Sequence, residues 1–265
     1  MVKFYDSSLK LQAIQALSLY CYIIVLLVSI ILDKIFRFLF PPFCLACGRP
    51  GNFFCSSCQQ KIKFLTNQIC PVCGYPALGG KTHFSCQTRY SLDGLSSVFA
   101  YALPFSLAVK KVKYYPFVFA AIKELVSLTL PYLEEREDFL PLRCFLKKKP
   151  VLVPIPLSRS RFFWRGYNQA EIMAEILGEK WSLPVAKKAL LRVKETAPQS
   201  FLSSNLRQKN IRGAFKVNDQ WRRYVSKFPV LLIDDIWTTG ATMRTAANVL
   251  KRAGAPQVWG LTFCR

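Results

Sequence analysis

Asp234 and Asp235 close a short apolar run, Val230 to Ile233, and are followed by Thr238-Thr239-Gly240-Ala241-Thr242. Carboxylates side by side can accept hydrogen bonds from the hydroxyls of a sugar. A small, hydroxyl-rich loop with one glycine lets backbone N–H groups close around a phosphate, and its Thr side chains add donors. Residues of these types in this order suit a phosphorylated sugar. The elements that must position them follow from the same window. Four apolar residues in a row are what a strand covered on both faces requires, and open α/β sheets bind ligands at the carboxyl ends of such strands. A helix beginning in the loop directs its positive dipole end at the anion. A buried strand and a capped helix would by themselves need only one Asp or Thr, so the acid pair and the threonines ask for a further reason.

The window resembles the phosphoribosyl-pyrophosphate (PRPP) motif of type I phosphoribosyltransferases. The resemblance implies that Asp234 and Asp235 hold the ribose hydroxyls, and that Thr238, Thr239, Gly240, Ala241 and Thr242 hold the 5′-phosphate. It also implies Mg²⁺ bound together with PRPP. Trp237 departs from the motif, which usually has a smaller aliphatic residue there.

A second strand is expected over Val151 to Pro156, ending in a loop that carries Arg159, Arg161 and Arg165. Their guanidinium forks suit a departing pyrophosphate, and Arg165 is placed with the acid pair in the catalytic set. Arg165-Gly166-Tyr167-Asn168-Gln169 opens a helix whose Ala170, Met173, Ala174 and Leu177 share one face. After the Thr-rich loop, Met243, Ala246, Ala247 and Leu250 repeat that spacing, and Gly254 with Pro256 stops the helix. A last strand is expected over Val258 to Phe263. Strands alternating with helices give the α/β class with a Rossmann-like parallel sheet. Arg192 to Asn210 is polar, basic and aperiodic; it reads either as a loop closing over the reacting centre or as an ordinary exposed loop.

Nearer the N-terminus, Cys44-x-x-Cys47-Gly, Cys55-x-x-Cys58, Cys70-x-x-Cys73-Gly and His83-x-x-Cys86 form four pairs with metal-ligand spacing. Two intervening residues let both side chains converge on one tetrahedral ion, and Gly48 and Gly74 relax the backbone after each knuckle. The pattern is a tandem repeat in which His83 takes the place of a Cys. Sequential pairing into two structural zinc sites is preferred, with a cross-braced arrangement as the alternative. Phe53, Phe54, Phe64, Phe84 and Tyr90 are read mainly as core of this small module, with stacking on single-stranded nucleic acid as the second reading. Cys21, Cys144 and Cys264 lie outside the set and are expected to be buried free thiols.

Of the 265 residues 52% are apolar and 14% aromatic, which excludes a disordered chain. The formal charge of +22 asks for a polyanionic partner or an acidic surface. Thiolates bound to zinc would trim that charge without changing its sign. From Leu11 to Leu32 there is no charged residue, and a helix of that length reaches about 30 Å. Three readings stay open: an anchor on the inner face of the cell membrane, an apolar helix docked on the protein, or a misassigned translation start. No signal-peptide pattern precedes it, so the cytoplasm is the expected compartment. The expected organisation is residues 1–40 as the apolar helix, 41–90 as the double zinc module and 91–265 as the phosphoribosyltransferase-like domain.

Taken together, Pro41-Pro42-x-Cys44, the zinc pairs, Arg165-Gly-Tyr-Asn-Gln169 and the PRPP motif resemble the ComF family of competence proteins. Lys113-Tyr114, Arg192, Lys194, Thr196, Gln199, Arg207, Asn210 and Gly213-Ala214-Phe215 follow the same pattern. A Gly shortly after Lys-Tyr is missing, and the apolar N-terminus is longer than usual. The resemblance implies a zinc-finger domain joined to a phosphoribosyltransferase-like domain, associated with uptake of transforming DNA, with competence-machinery proteins as partners. Two functions follow as expectations: transfer of a phosphoribosyl group to an unidentified acceptor, or single-stranded DNA binding in which the same site senses PRPP or grips a phosphate.

Overall fold

The computed structural model describes residues 41–112, 118–195 and 211–265. The apolar run Leu11–Leu32, Lys113-Tyr114 and the stretch from Thr196 to Asn210 therefore lie outside the described residues. Among the described residues no helix is long and apolar enough to cross a membrane. Contacts divide the chain into two units, one comprising Gly48–Phe53 with the chain up to Cys44, the other Leu45–Cys47 with Phe54–Arg265.

In chain order the second unit contains α1 (Ser56–Gln59), β1 (Gly94–Phe99), α2 (Phe105–Val112), α3 (Val118–Glu135), α4 (Leu140–Leu146) and β2 (Val151–Pro154). It continues with α5 (Arg159–Arg165), α6 (Gln169–Trp181), β3 (Leu190–Arg192), β4 (Phe215–Val217) and α7 (Arg222–Lys227). It ends with β5 (Val230–Ile236), α8 (Ala241–Arg252) and β6 (Val258–Cys264). Four strands form one parallel sheet in the order β1-β6-β5-β2. The α/β class expected from the strand and helix patterns is the one observed.

Both faces of the sheet are covered, so its strands are buried along almost their whole length. Val230, Leu232, Val151, Val153 and Val258 share a core cluster with Met243, Ala246, Ala247 and Leu250 of α8. On the other face α6 lies against β2 and β5, burying Ala170, Met173, Ala174 and Leu177. Gly178 lets α6 approach closely: a Cβ there would lie 2.4 Å from the Val185 side chain. β3 and β4 form a separate antiparallel ribbon pairing Arg192 with Phe215. Arg192 is thus a strand residue and not the start of an irregular loop.

β1 carries Ser96 and Ser97 in a fully buried position. Burying hydroxyls is tolerable only with partners. Ser96 Oγ accepts from Trp259 Nε1 at 3.1 Å, Ser97 Oγ meets Thr262 Oγ1 at 2.7 Å, and Gln68 exchanges two hydrogen bonds of 2.9 Å with the Ser97 backbone.

Candidate functional site

The eight predicted metal ligands gather in two groups. Cys44, Cys47, Cys55 and Cys58 form the first and Cys70, Cys73, His83 and Cys86 the second; within each, the ligand atoms all lie within 4.8 Å of one another. Sequential pairing is therefore the arrangement, not cross-bracing. The tandem repeat extends to the backbone. In both knuckles the first Cys donates its N–H across the turn (Cys44 to Arg49 O, 2.8 Å; Cys70 to Tyr75 O, 2.9 Å), and the following Gly closes it at φ 78° (Gly48) and 79° (Gly74). His83 Nε2 lies 3.1 Å from Pro76 O and Nδ1 lies 3.4 Å from Cys73 Sγ. Donation from Nε2 to the carbonyl leaves Nδ1 as the metal-facing nitrogen, the usual outer-shell device for orienting a ligand imidazole. Burial raises the Cys70 thiol, but N–H donors from Cys73, His83 and Val72 outweigh it and bring the pKa down to about 7, favouring the thiolate that a metal requires. Four thiolates, or three and an imidazole, fill a tetrahedral zinc ion and leave no open position, so both are structural sites.

The phosphate-type loop connects β5 to α8. Asp234 and Asp235 belong to the last part of β5, which runs to Ile236, and both are half-buried. Neighbouring strand residues face opposite sides, so the pair flanks the strand end and does not form one claw. Asp234 Oδ1 accepts from Asp235 N–H at 2.9 Å, and Cys264 Sγ lies beneath Asp235 O at 3.7 Å. Trp237 is buried; its main-chain N–H donates to Cys264 O at 2.8 Å and its ring forms the floor of the loop. Gly240 sits on that ring in the left-handed conformation (φ 72°), and a Cβ there would fall 2.1 Å from the ring. Thr239 Oγ1 accepts from Ala241 N–H at 3.5 Å, and the first turn of α8, with Thr242 in it, begins directly above. Arg244 secures the loop from behind, Nη2 donating to Thr239 O at 2.6 Å and Nη1 to Pro71 O at 3.1 Å, with its guanidinium 5.8 Å from the Trp237 ring centroid.

β2 is the parallel neighbour of β5, so the loop leaving it opens on the same sheet edge. Ile155 N–H bonds Ile233 O at 2.9 Å, immediately before the acid pair. Asn168 holds this corner: Nδ2 donates to Ile155 O at 3.0 Å while Oδ1 caps α6 through Ala170 N–H at 3.2 Å. Tyr167 Oη donates to Val112 O at 2.7 Å. Arg159 and Arg165 are the first and last residues of α5, with Arg161 between them, and Arg165 Nη1 donates to Gln169 Oε1 at 3.1 Å. Arg192, from β3, joins this group. Burial lowers its guanidinium to about 10, repulsion from Arg161 adds to the shift, and Asp234 and Glu195 oppose it. Arg161, Arg192, Asp234 and Glu195 are thus close enough to influence one another's charge.

A double zinc ribbon domain matches residues 35–88. The competence protein ComFC of Bacillus subtilis (strain 168) is 30% identical over 229 residues, covering 82% of this chain and 86% of that protein. The DNA utilization protein YhgH of Salmonella typhi is 30% identical over 235 residues, 85% of this chain and 97% of that protein. Competence protein F of Haemophilus influenzae is 29% identical over 226 residues, 79% and 90% of the two chains. The chain belongs to the ComF family of competence proteins.

Within this ComF-family chain the predicted residues separate into those the fold unites and those it leaves at the rim. Asp234, Arg161 and Arg192 share one electrostatic neighbourhood. Arg159 and Thr238 are exposed. Gln169 was legible only as part of a motif; its side chain is 3% exposed, and Nε2 is buried with no hydrogen-bond partner beside Arg165. A donor left in that state has room for one acceptor from a ligand. Glu195 carries no motif signal in the sequence. Its carboxylate accepts from Ser160 Oγ at 2.7 Å and Ser160 N–H at 3.3 Å, at the start of α5. Two sequence expectations fail. Cys144 is exposed while Cys264 is buried, because Cys144 lies on the outer side of α4, whose inner side is Leu142 and Phe145. Phe53 and Phe54 are core as expected, but Phe84 is 92% exposed, since its short 3₁₀ turn contributes no buried residue.

Proposed function

We propose that this protein binds PRPP with Mg²⁺ at the carboxyl edge of β5 and β2, and acts in DNA uptake as its competence-named relatives do. The observation that supports this best is the convergence of two loops on adjacent parallel strands. One offers N–H donors and hydroxyls above a glycine whose added Cβ would strike the Trp237 ring; the other brings Arg161 beside Arg192 and Asp234. In this reading Thr238 to Thr242 receive the 5′-phosphate. Asp234 and Asp235 orient the ribose and stand where Mg²⁺ would need carboxylate oxygens. Arg159, Arg161, Arg165 and Arg192, with Gln169 Nε2, face the pyrophosphate. If the bound PRPP reacts, these same cations stabilise the departing pyrophosphate, and the product is a phosphoribosyl group on an acceptor that the chain does not specify. The cytoplasm, or the cytoplasmic face of its membrane, is the place of action.

Asp235→Asn tests it. The variant keeps the shape of the side chain and removes its charge, so PRPP affinity in the presence of Mg²⁺ should fall about 10- to 100-fold, the worth of one charged hydrogen bond. Calorimetric titration reads this directly; unchanged affinity would remove the acid pair from the site. Glu195 occupies the Ser160 N–H that pyrophosphate would use, so Glu195→Gln should tighten PRPP binding, by about two- to fivefold for an exposed charge. Weaker binding in that variant would make Glu195 a supporting group and not a competitor.

A second reading, retention of single-stranded DNA, is favoured by α5. Phe163 and Trp164 are 91% and 80% exposed between Arg161 and Arg165. Aromatic faces alternating with guanidinium groups suit stacked bases and a phosphate chain. Replacing both aromatics with Ala should weaken single-strand binding by about 1–3 kcal/mol per base released, while PRPP affinity holds. Strand binding that ignores the double substitution would place the nucleic acid elsewhere.

A further inference from the structure

A cavity of about 280 Å³ lies between the second zinc knuckle and the phosphate-type loop. Pro71, Val72 and Gly74 form one side, and Trp237 and Thr238 the other, with Arg244 and Arg265 turned into it. None of its lining residues is Asp or Glu. Arg244 donates to two neutral carbonyls, Pro71 O and Thr239 O, which fix its position without cancelling its charge. Arg265 has its main chain tied to Phe99 O and Tyr101 N–H, and Nη2 donates to Asn67 O at 2.9 Å. Its Nε is buried and has no partner.

We propose that this cavity is a second anion subsite that takes a phosphate group, contiguous at Thr238 and Thr239 with the loop assigned to the 5′-phosphate. Three features carry it: two fixed cations that line the cavity, a buried N–H on one of them that has no partner, and a volume below that of a drug-sized ligand pocket. Its adjacency to the loop makes a ligand with two phosphates one nucleoside apart the natural occupant, because the second contact is then intramolecular. This extension rests on the loop holding a phosphate. The shared chemistry, a phosphate group, could also come from free inorganic phosphate.

The test uses the full-length, zinc-loaded chain in calorimetric titrations with inorganic phosphate, thymidine 5′-monophosphate and 5′-phosphorylated dithymidylate. The expected result is that the dinucleotide binds about tenfold or more tightly than the mononucleotide. Arg265→Gln should abolish that gain and leave the mononucleotide unaffected, while Arg265→Lys restores part of it. Val72→Glu, at a 37% exposed position on the cavity rim, should abolish it as well. Inorganic phosphate filling two sites in the parent and one in Arg265→Gln, without any dinucleotide gain, would establish the subsite as one for free phosphate. Mononucleotide affinity that ignores Gly240→Ala while inorganic phosphate affinity falls in Arg265→Gln would refute the loop assignment and keep the cavity. A dinucleotide gain that survives both Arg265→Gln and Val72→Glu, or the absence of both the gain and a second phosphate site, would overturn the proposal.

Discussion

Cys86→Ser is expected to empty the second metal cluster and unfold the ribbon from Cys70 to Cys86, while the first cluster keeps its ion. Zinc content should fall from two ions per chain to one, in line with the two ligand groups. The size of the effect follows from how little else holds this segment. Cys70 is buried, but Val72, Tyr75, Leu78 and Phe84 are all exposed, so the ribbon has almost no apolar core of its own. Structural zinc contributes about 10–16 kcal/mol in small peptide modules, and that binding energy is folding energy. What remains is a set of ties to the sheet: Gln68 to Ser97, Thr82 Oγ1 to Leu92 O at 2.5 Å, and Arg244 to Pro71 O. The last of these has a consequence at a distance. Arg244 also holds Thr239 O, so loss of the ribbon should speed amide hydrogen exchange at Trp237 to Ala241. Cys58→Ser, in the other cluster, should leave those amides unchanged. Two ions retained by Cys86→Ser, or equal exchange in the two variants, would contradict this account of the ribbon.

Gly240→Ala is expected to damage the phosphate-type loop more than any other single methyl group added to it. Two independent penalties coincide. At φ 72° a side chain is strained by about 1–2 kcal/mol. A Cβ 2.1 Å from the Trp237 ring further forces repacking that typically costs about 1–3 kcal/mol. Trp237 cannot step aside cheaply, because its side chain is buried and its ring lies under Arg244. The loop must then open, which moves the N–H groups at the start of α8 away from any phosphate. Phosphate-ligand affinity should fall about 100-fold, a loss of about 2.7 kcal/mol. Trp237→Leu provides the control. In the Gly240→Ala background it should recover the steric part of the loss and leave the backbone strain, giving a coupling energy of about 1–3 kcal/mol in a double-mutant cycle. Additive effects would mean that the ring and the glycine are not in contact.

This pair also shows how far the sequence could be read. The strand before the acids and the amphipathic helix after the threonines were legible because their periodicity is strong: Val230 to Ile233 are all buried, and Met243, Ala246, Ala247 and Leu250 all face the core. The zinc ligands were legible from spacing alone. Trp237 read as a departure from the motif, whereas its packing under Gly240 makes it the loop's floor; nothing local announces a contact made through a turn. β1 escaped notice because Ser96 and Ser97 interrupt its apolar pattern, and their partners, Trp259 and Thr262, are more than 160 residues away in sequence. The β3–β4 ribbon has three residues in each strand, too few for a period, so Arg192 read as the start of a loop. Gln169 and Glu195 needed coordinates, since an orphan amide and a carboxylate on Ser160 are facts of distance.

The central claim is that the edge of β5 and β2 is a PRPP site, and a crystal structure of the protein grown with PRPP and Mg²⁺ tests it most directly. The predicted result is a 5′-phosphate seated on the N–H groups between Thr238 and Thr242, the ribose beside Asp234 and Asp235, and the pyrophosphate, or the space it vacated, facing Arg161 and Arg192. A cradle without ligand at saturating PRPP, or PRPP held anywhere else on the chain, would contradict it.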